Sequence, residues 1–241
     1  MDGIVNILKP PGMTSHDVVA FIRRCTRIKK VGHTGTLDPG ATGVLPICIG
    51  KATKVADLLT SEDKEYRAEI KLGVITDTQD SFGQIIETRQ IDVTRQMIEN
   101  AIYSFKGSFD QLPPMYSAIK INGTKLYELA RKGIEVERKP RRVTIHDIKI
   151  IDINLEDHTI LIHVTCSKGT YIRTLCVDIG QKLGCGAHMS FLLRTRSGMF
   201  ALENTVTVEE FEQWSQQRSE EPILTPVDNI FKSYEAITID D

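Results

Sequence analysis

The chain has 241 residues, 41% hydrophobic and 26% charged, with a formal net charge of −2. That is the profile of a globular protein of one large domain, or of one domain with a small appendage. No apolar run approaches the roughly 18 residues of a membrane-spanning helix, which excludes that class. The opening "MDGIVNILKPPGMTSHD" lacks the basic start, long apolar middle and small-residue cleavage site of a signal peptide, so a cytoplasmic protein is expected. The five cysteines, Cys25, Cys48, Cys166, Cys176 and Cys185, are scattered, odd in number and form no CxxC pair, so neither a zinc site nor a disulfide framework is expected.

"GIVNIL" predicts a strand stopped by Pro10, Pro11 and Gly12. Ser15 is the expected cap of a helix in which Val18, Val19, Ile22 and Cys25 recur at helical spacing and bases crowd the end. "GHTGTLDPGATG", residues 32–43, reads as a loop, "VLPICIG" as a buried strand and "KATKVADLLT" as a short helix. "EYRAEIKLG" alternates as a strand does, "TDTQDSFGQ" is rich in turn residues, and "VTRQMIENAIYSFKG" predicts a helix closed by Gly107. The stretch from Ser108 to Arg142 differs in character. It holds adjacent prolines, an Asn122-Gly123 turn signal and one short helix, "KLYELARKG". Between Lys120 and Arg142 it carries eight bases and three acids, and it reads as a loosely packed, positively charged insertion. "RVTIHDIKIIDINL" and "TILIHVTCSKG" predict strands, "TYIRTLCVDIGQKLG" a helix with a glycine stop, "HMSFLLRTRSGMF" a strand and "TVEEFEQWSQQ" an acidic helix.

Strands and helices alternate without a βαβ rhythm, and several neighbouring strands are placed to pair as hairpins. The expected fold class is therefore α+β, with a mixed, largely antiparallel central sheet flanked by helices. Charge divides unevenly along the chain. Residues 203–241 carry ten acids and two bases, so residues 1–202 have a net charge of +6 that the whole-chain pI near 6.3 conceals. An acidic tail masking a basic body leaves room for a polyanionic partner.

The loop of residues 32–43 places four glycines around one carboxylate, Asp38. It is no P-loop, because Gly50-Lys51 is followed by Ala52 and Leu45 stands where the first glycine belongs. Its glycine spacing also fails the dinucleotide fingerprint. Glycines let a backbone approach a ligand closely, and Pro39 stiffens the aim of Asp38. Aspartate is also a common turn-former, so this loop by itself leaves a catalytic and a structural reading open.

Taken together, five segments carry a resemblance. "LKPPGMTS", "GHTGTLDPGATGVLPICIGKATK", "KEYRAEIKLGVITDTQD", "QLPPMYSAIKINGTKLYELARKGIEVERKPRRV" and "SKGTYIRTLCVDIGQKLGCGAHMSFLLRT" resemble, in order, the motifs of the TruB-type tRNA pseudouridine synthases. The resemblance covers most of residues 3–200. It implies the pseudouridine synthase fold with an inserted RNA-gripping segment, and isomerisation of uridine 55 in the T-loop of tRNA without a cofactor or metal. It further implies that Asp38 is the nucleophile, which must be ionised, and that Arg173 pairs with it, a guanidinium favouring the charged form. Tyr66 matches the tyrosine that stacks on the target base. His33 matches the histidine that fills the space an extruded nucleotide leaves, and Tyr171 and Leu192 match further substrate-contacting positions.

A base inside a folded loop must be flipped out to react, which costs a few kcal/mol and calls for an aromatic or apolar slot. Lys120, Lys125, Arg131, Lys132, Arg141 and Arg142 in the insertion are expected to hold RNA phosphates. The expected organisation is a catalytic domain over residues 1–202, with the insertion at about 108–142, followed by an acidic helix and tail over 203–241. The small C-terminal RNA-binding module usual in bacterial members is expected to be missing or cut short. The expected partner is the T-stem-loop of tRNA, bound by a monomer that needs no protein partner. Two alternatives are a dyskerin-like synthase directed by a guide RNA and a non-catalytic tRNA-folding helper. Neither sits as well with a short acidic end and with Asp38, Tyr66 and Arg173 all present.

Overall fold

The computed structural model describes residues 1–121, 123–217 and 223–233. Asn122 of the expected turn, and residues 218–222 and 234–241 of the acidic tail, lie outside the described residues. In chain order the elements are β1 (Gly3–Lys9), α1 (Ser15–Thr26), β2 (Val31–His33), β3 (Thr42–Ile49), a 3-10 turn (Gly50–Val55), α2 (Ala56–Ser61), β4 (Lys64–Leu72), β5 (Val74–Thr76) and β6 (Ile85–Thr88). They continue with α3 (Arg95–Tyr103), β7 (Gly107–Gln111), β8 (Lys120–Ile121), β9 (Thr124–Lys125), α4 (Leu126–Ala130), β10 (Arg141–Asn154), β11 (Thr159–Cys166), α5 (Ile172–Lys182), β12 (Ala187–Ser197), β13 (Phe200–Ala201) and α6 (Val208–Gln217). The class is α+β with a mixed, largely antiparallel sheet, as the alternation of elements led us to expect.

The chain divides into two compact units, Met1–Glu62 with Leu193–Asp241, and Asp63–Leu192. In the first, β3 pairs antiparallel with β1 from Gly3↔Ile49 to Lys9↔Gly43 and with β2 from Val31↔Ile49 to His33↔Ile47. The end of β12 joins β3 in parallel, Arg194 opposite Gly43, then folds back as β13. Residues of one parity, Val5, Ile7, Leu45, Ile47 and Ile49, pack with Val18, Val19 and Ile22 of α1 and Phe211 of α6. The other parity, Ile4, Val44 and Cys48, packs with Ala52, Leu59, Phe200 and Ile230. Both faces are covered, which is why β1 and β3 are continuous apolar runs rather than alternating ones.

In the second unit β4, β11, β10 and β7 pair antiparallel in that order. β4 is buried at every second residue, the sign of a sheet covered on one face more than the other. Helices α3 and α5 pack together, α3 against β10 and α5 against β4.

Three local expectations are corrected by the structure. The cap of α1 is Thr14, not Ser15: the Thr14 hydroxyl accepts from the Asp17 N–H at 3.0 Å and the Asp17 carboxylate accepts from the Thr14 N–H at 2.8 Å. Gly107 does not close α3, which ends at Tyr103 with Ser104 as its C-cap; Gly107 opens β7 with φ +110°. "KATKVADLLT" starts as a 3-10 turn and becomes α-helical at Ala56. The short strands β2, β5, β6 and β7 carry no clear period-2 signal and were not expected.

Candidate active site

Asp38 lies in the loop joining β2 to β3, and three elements of the first unit hold that loop. The Ala41 N–H donates to the Asp38 carbonyl at 3.0 Å, closing a turn with Pro39 in its second place, where a fixed φ suits it. From α1, the buried Ser15 hydroxyl brackets the preceding residue: it accepts from the Leu37 N–H at 2.8 Å and donates to the Leu37 carbonyl at 3.1 Å. From β1, the fully buried Lys9 ammonium donates to Ala41 O at 2.6 Å, Pro10 O at 2.9 Å and Pro39 O at 3.2 Å. From β12, the buried Arg194 donates through Nε to Val44 O at 2.7 Å and through Nη2 to Gly35 O at 3.2 Å. A loop whose carbonyls at 35, 37, 38, 39 and 41 all accept hydrogen bonds presents its carboxylate on a stiff frame.

Lys9 and Arg194 also set the charge beneath the loop. Burial lowers the Lys9 ammonium to about 8; the Asp38 carboxylate opposes that and Arg194 adds to it. Lys9 therefore stays charged near neutrality. His33 at the end of β2 is lowered to about 4, first by burial and then by His16 and Arg194. Its Nδ1 accepts from the Gly35 N–H at 3.3 Å, and its ring meets the His16 ring edge-on at 5.3 Å. The neutral imidazole then carries its hydrogen on Nε2.

The second unit holds the other nominated residues. Tyr66 is buried on β4, opposite Val164 of β11. Tyr171 is the N-cap residue of α5, and Arg173 lies in the first turn of that helix, 5% exposed. The Arg173 guanidinium donates to Tyr116 O at 2.6 Å and to Thr78 O at 3.2 Å, tying residues 113–117 and the 77–84 turn to α5. Next to it, the Thr174 hydroxyl donates to Gln79 Oε1 at 2.8 Å. Leu192 is buried on β12. His33 and Asp38 thus belong to one unit, and Tyr66, Tyr171, Arg173 and Leu192 to the other.

Of the nominated phosphate-holding residues, Lys120, Arg131, Lys132, Arg141 and Arg142 are exposed and Lys125 is half-buried. Lys125 and Arg131 both sit over the Tyr127 ring, each 5.4 Å from its centroid. Arg142 pairs with Asp110 at 3.6 Å across β10 and β7. Arg138, in the same basic stretch, is used structurally: it donates to Pro113 O at 3.1 Å and to Glu135 at 3.0 Å. Among the described residues no three His, Cys, Asp or Glu side chains are grouped to hold a metal, and no helix is long and apolar enough to cross a membrane.

Residues 23–172 match the family model described as TruB family pseudouridylate synthase, N-terminal domain. The chain belongs to the TruB family. Residues 173–232 match the model of the tRNA pseudouridylate synthase B C-terminal domain. Among curated TruB relatives, the tRNA pseudouridine synthase B of Alkaliphilus oremlandii is 56% identical over 95% of this chain and 75% of its own length. That of Clostridium tetani is 50% identical over 100% of this chain and 82% of its own. Among solved structures, a Cbf5-Nop10-Gar1 complex superposes with a TM-score of 0.73 at 35% identity, over 94% of this chain. This chain spans 60% of the matched chain there.

Four residues that hold the nominated segments escaped the sequence reading: Lys9, Ser15 and Arg194 in the first unit and Gln111 in the second. Lys9 carried a signal: it continues an apolar run, "GIVNIL", whose length implies a strand buried on both faces. Ser15 was read only as a cap. Gln111 carried no signal, because nothing local marks a glutamine for burial.

Proposed function

We propose that this chain isomerises a uridine of tRNA to pseudouridine, with uridine 55 of the T-loop as the target. The observation that carries the reading is identity of 50–56%, over nearly the whole chain, to relatives named tRNA pseudouridine synthase B. The many-point anchoring of the Asp38 loop supports it, since a nucleophile must be held in place. The reaction breaks the bond between uracil N1 and ribose C1′ and makes one between C5 and C1′. N1 gains a proton and C5 loses one, so no electrons enter or leave.

Asp38 is the nucleophile in this proposal, Arg173 its cationic partner, and Tyr66 the ring against which the extruded base stacks. His33, Tyr171 and Leu192 contact the nucleotide. The neutral His33 fits a space-filling role better than a phosphate-binding one. Lys120, Lys125, Arg131, Lys132, Arg141 and Arg142 hold phosphates, while the acidic residues 203–241 do not grip RNA. The chain acts in the cytoplasm, as a monomer and without a guide RNA or a protein partner. The higher identity to a relative named tRNA pseudouridine synthase B (56%) than to the chain matched in a Cbf5-Nop10-Gar1 complex (35%) favours that over the guided alternative.

The test follows the hydrogen at uridine C5 in unmodified tRNA. The wild-type chain alone is expected to release it, and Asp38→Asn to slow release by at least about 10³-fold with RNA binding intact. Release that survives the substitution would assign the nucleophile elsewhere. Release that requires an added guide RNA would favour the dyskerin-like reading.

A further inference from the structure

We propose that Gln111 is a positioning residue for the first turn of α5, acting through the backbone of Tyr171; the inference rests on the pseudouridine synthase reading above. Gln111 ends β7 and is 2% exposed. Its side-chain amide reads the main chain of Tyr171 twice: Nε2 donates to Tyr171 O at 3.1 Å, and Oε1 accepts from the Tyr171 N–H at 2.8 Å. A carboxamide used this way imitates one rung of a sheet at a place where no strand can pair. Tyr171 needs it: it begins α5 with no side-chain cap, and its carbonyl also takes the first helical bond, from the Leu175 N–H at 3.0 Å.

The same segment holds α5 a second time. Residues 111–117 read QLPPMYS, and two prolines stiffen the middle. One end grips the Tyr171 backbone through Gln111. Near the other, Tyr116 O accepts from the Arg173 guanidinium at 2.6 Å. The next carbonyl, Ser117 O, accepts from the N–H of Tyr127 in α4, the ring that carries Lys125 and Arg131. The segment is thus a strap from the basic insertion to the helix turn that bears Tyr171 and Arg173. Gln111 sets where that turn begins. Without it, the Tyr171 N–H loses this acceptor and the Tyr171 carbonyl loses the second of the two donors named, so the turn is free to shift.

The experiment compares wild type, Gln111→Leu and Gln111→Glu in C5-hydrogen release from unmodified tRNA, measuring kcat and KM separately and melting each protein. Gln111→Leu removes both bonds and is expected to lower kcat about 10- to 100-fold, the scale of a misplaced reacting group, with KM changed less than about threefold. Gln111→Glu keeps an acceptor for the Tyr171 N–H and should fall between the two. Equal kcat in all three would overturn the proposal, as would a loss of kcat that disappears at a temperature where the variant is fully folded. Should Gln111→Leu not fold, Gln111→Glu decides by the same kcat comparison. A wild-type chain that releases no hydrogen sinks the functional reading itself; a wild type that turns over beside equally active variants sinks only the role of Gln111.

Discussion

His33 and Lys9 are both bases that burial drives towards the neutral form, and they answer differently. Lys9, with three carbonyl partners and the nearby Asp38 carboxylate, keeps its proton at pH 7. His33, facing His16 and Arg194, does not take one until about pH 4. The unfolded chain protonates the same histidine near its ordinary value of about 6.5. Between those values the unfolded state binds more protons, so stability is full above pH 6.5 and falls as the pH drops towards 4. For a partly exposed ring the loss is roughly 2 kcal/mol. Denaturant titrations from pH 7 to 4 should show that slope in wild type and a flatter one in His33→Asn. Equal slopes would mean that His33 is protonated in the native state at higher pH than the burial of its ring implies.

At the level of elements, one glycine of the loop is demanded by pairing and not by a ligand. Gly43 has φ +114°, and a Cβ there would lie 2.2 Å from Arg194 O, because β3 and β12 run parallel with these two residues opposite each other. Gly12 also has a positive φ, of +89°, but open space where its Cβ would be. Gly43→Ala is therefore expected to destabilise by about 3 kcal/mol or more and Gly12→Ala by about 1 kcal/mol. On a chain of this size the first lowers Tm by roughly 10 °C. Thermal melts of the two variants side by side check it; similar shifts would remove the steric argument. Glycines of positive φ thus have two different causes, left-handed backbone at Gly12 and close approach at Gly43, and only the second comes from another part of the chain. The long strands were legible because both faces of β1 and β3 are buried and β4 alternates. The short ones were not, since three to five residues give no clear period to read.

Across the whole molecule the charge is segregated, with a net of −8 in residues 203–241 and +6 in the rest. RNA affinity should fall steeply with salt while kcat at saturating RNA changes little, because released counterions act on binding and not on chemistry. Lys125 and Arg131, both over Tyr127, form the best-defined pair of cations in the basic stretch. The double substitution Lys125→Glu/Arg131→Glu should flatten the plot of log affinity against log salt by about 1.5. An unchanged slope would place the phosphates elsewhere.

By itself the sequence determined the α+β class, the long apolar strands, the main helices, the order of motifs and the loop that carries Asp38, because those follow from local period, turn chemistry and motif spacing. It could not say that Lys9, Ser15 and Arg194 anchor that loop, that Arg138 is committed to Pro113, or that Gln111 holds Tyr171. Each of these depends on a partner brought near by chain reversal, and a polar side chain is worth burying only where a distant backbone group waits unpaired.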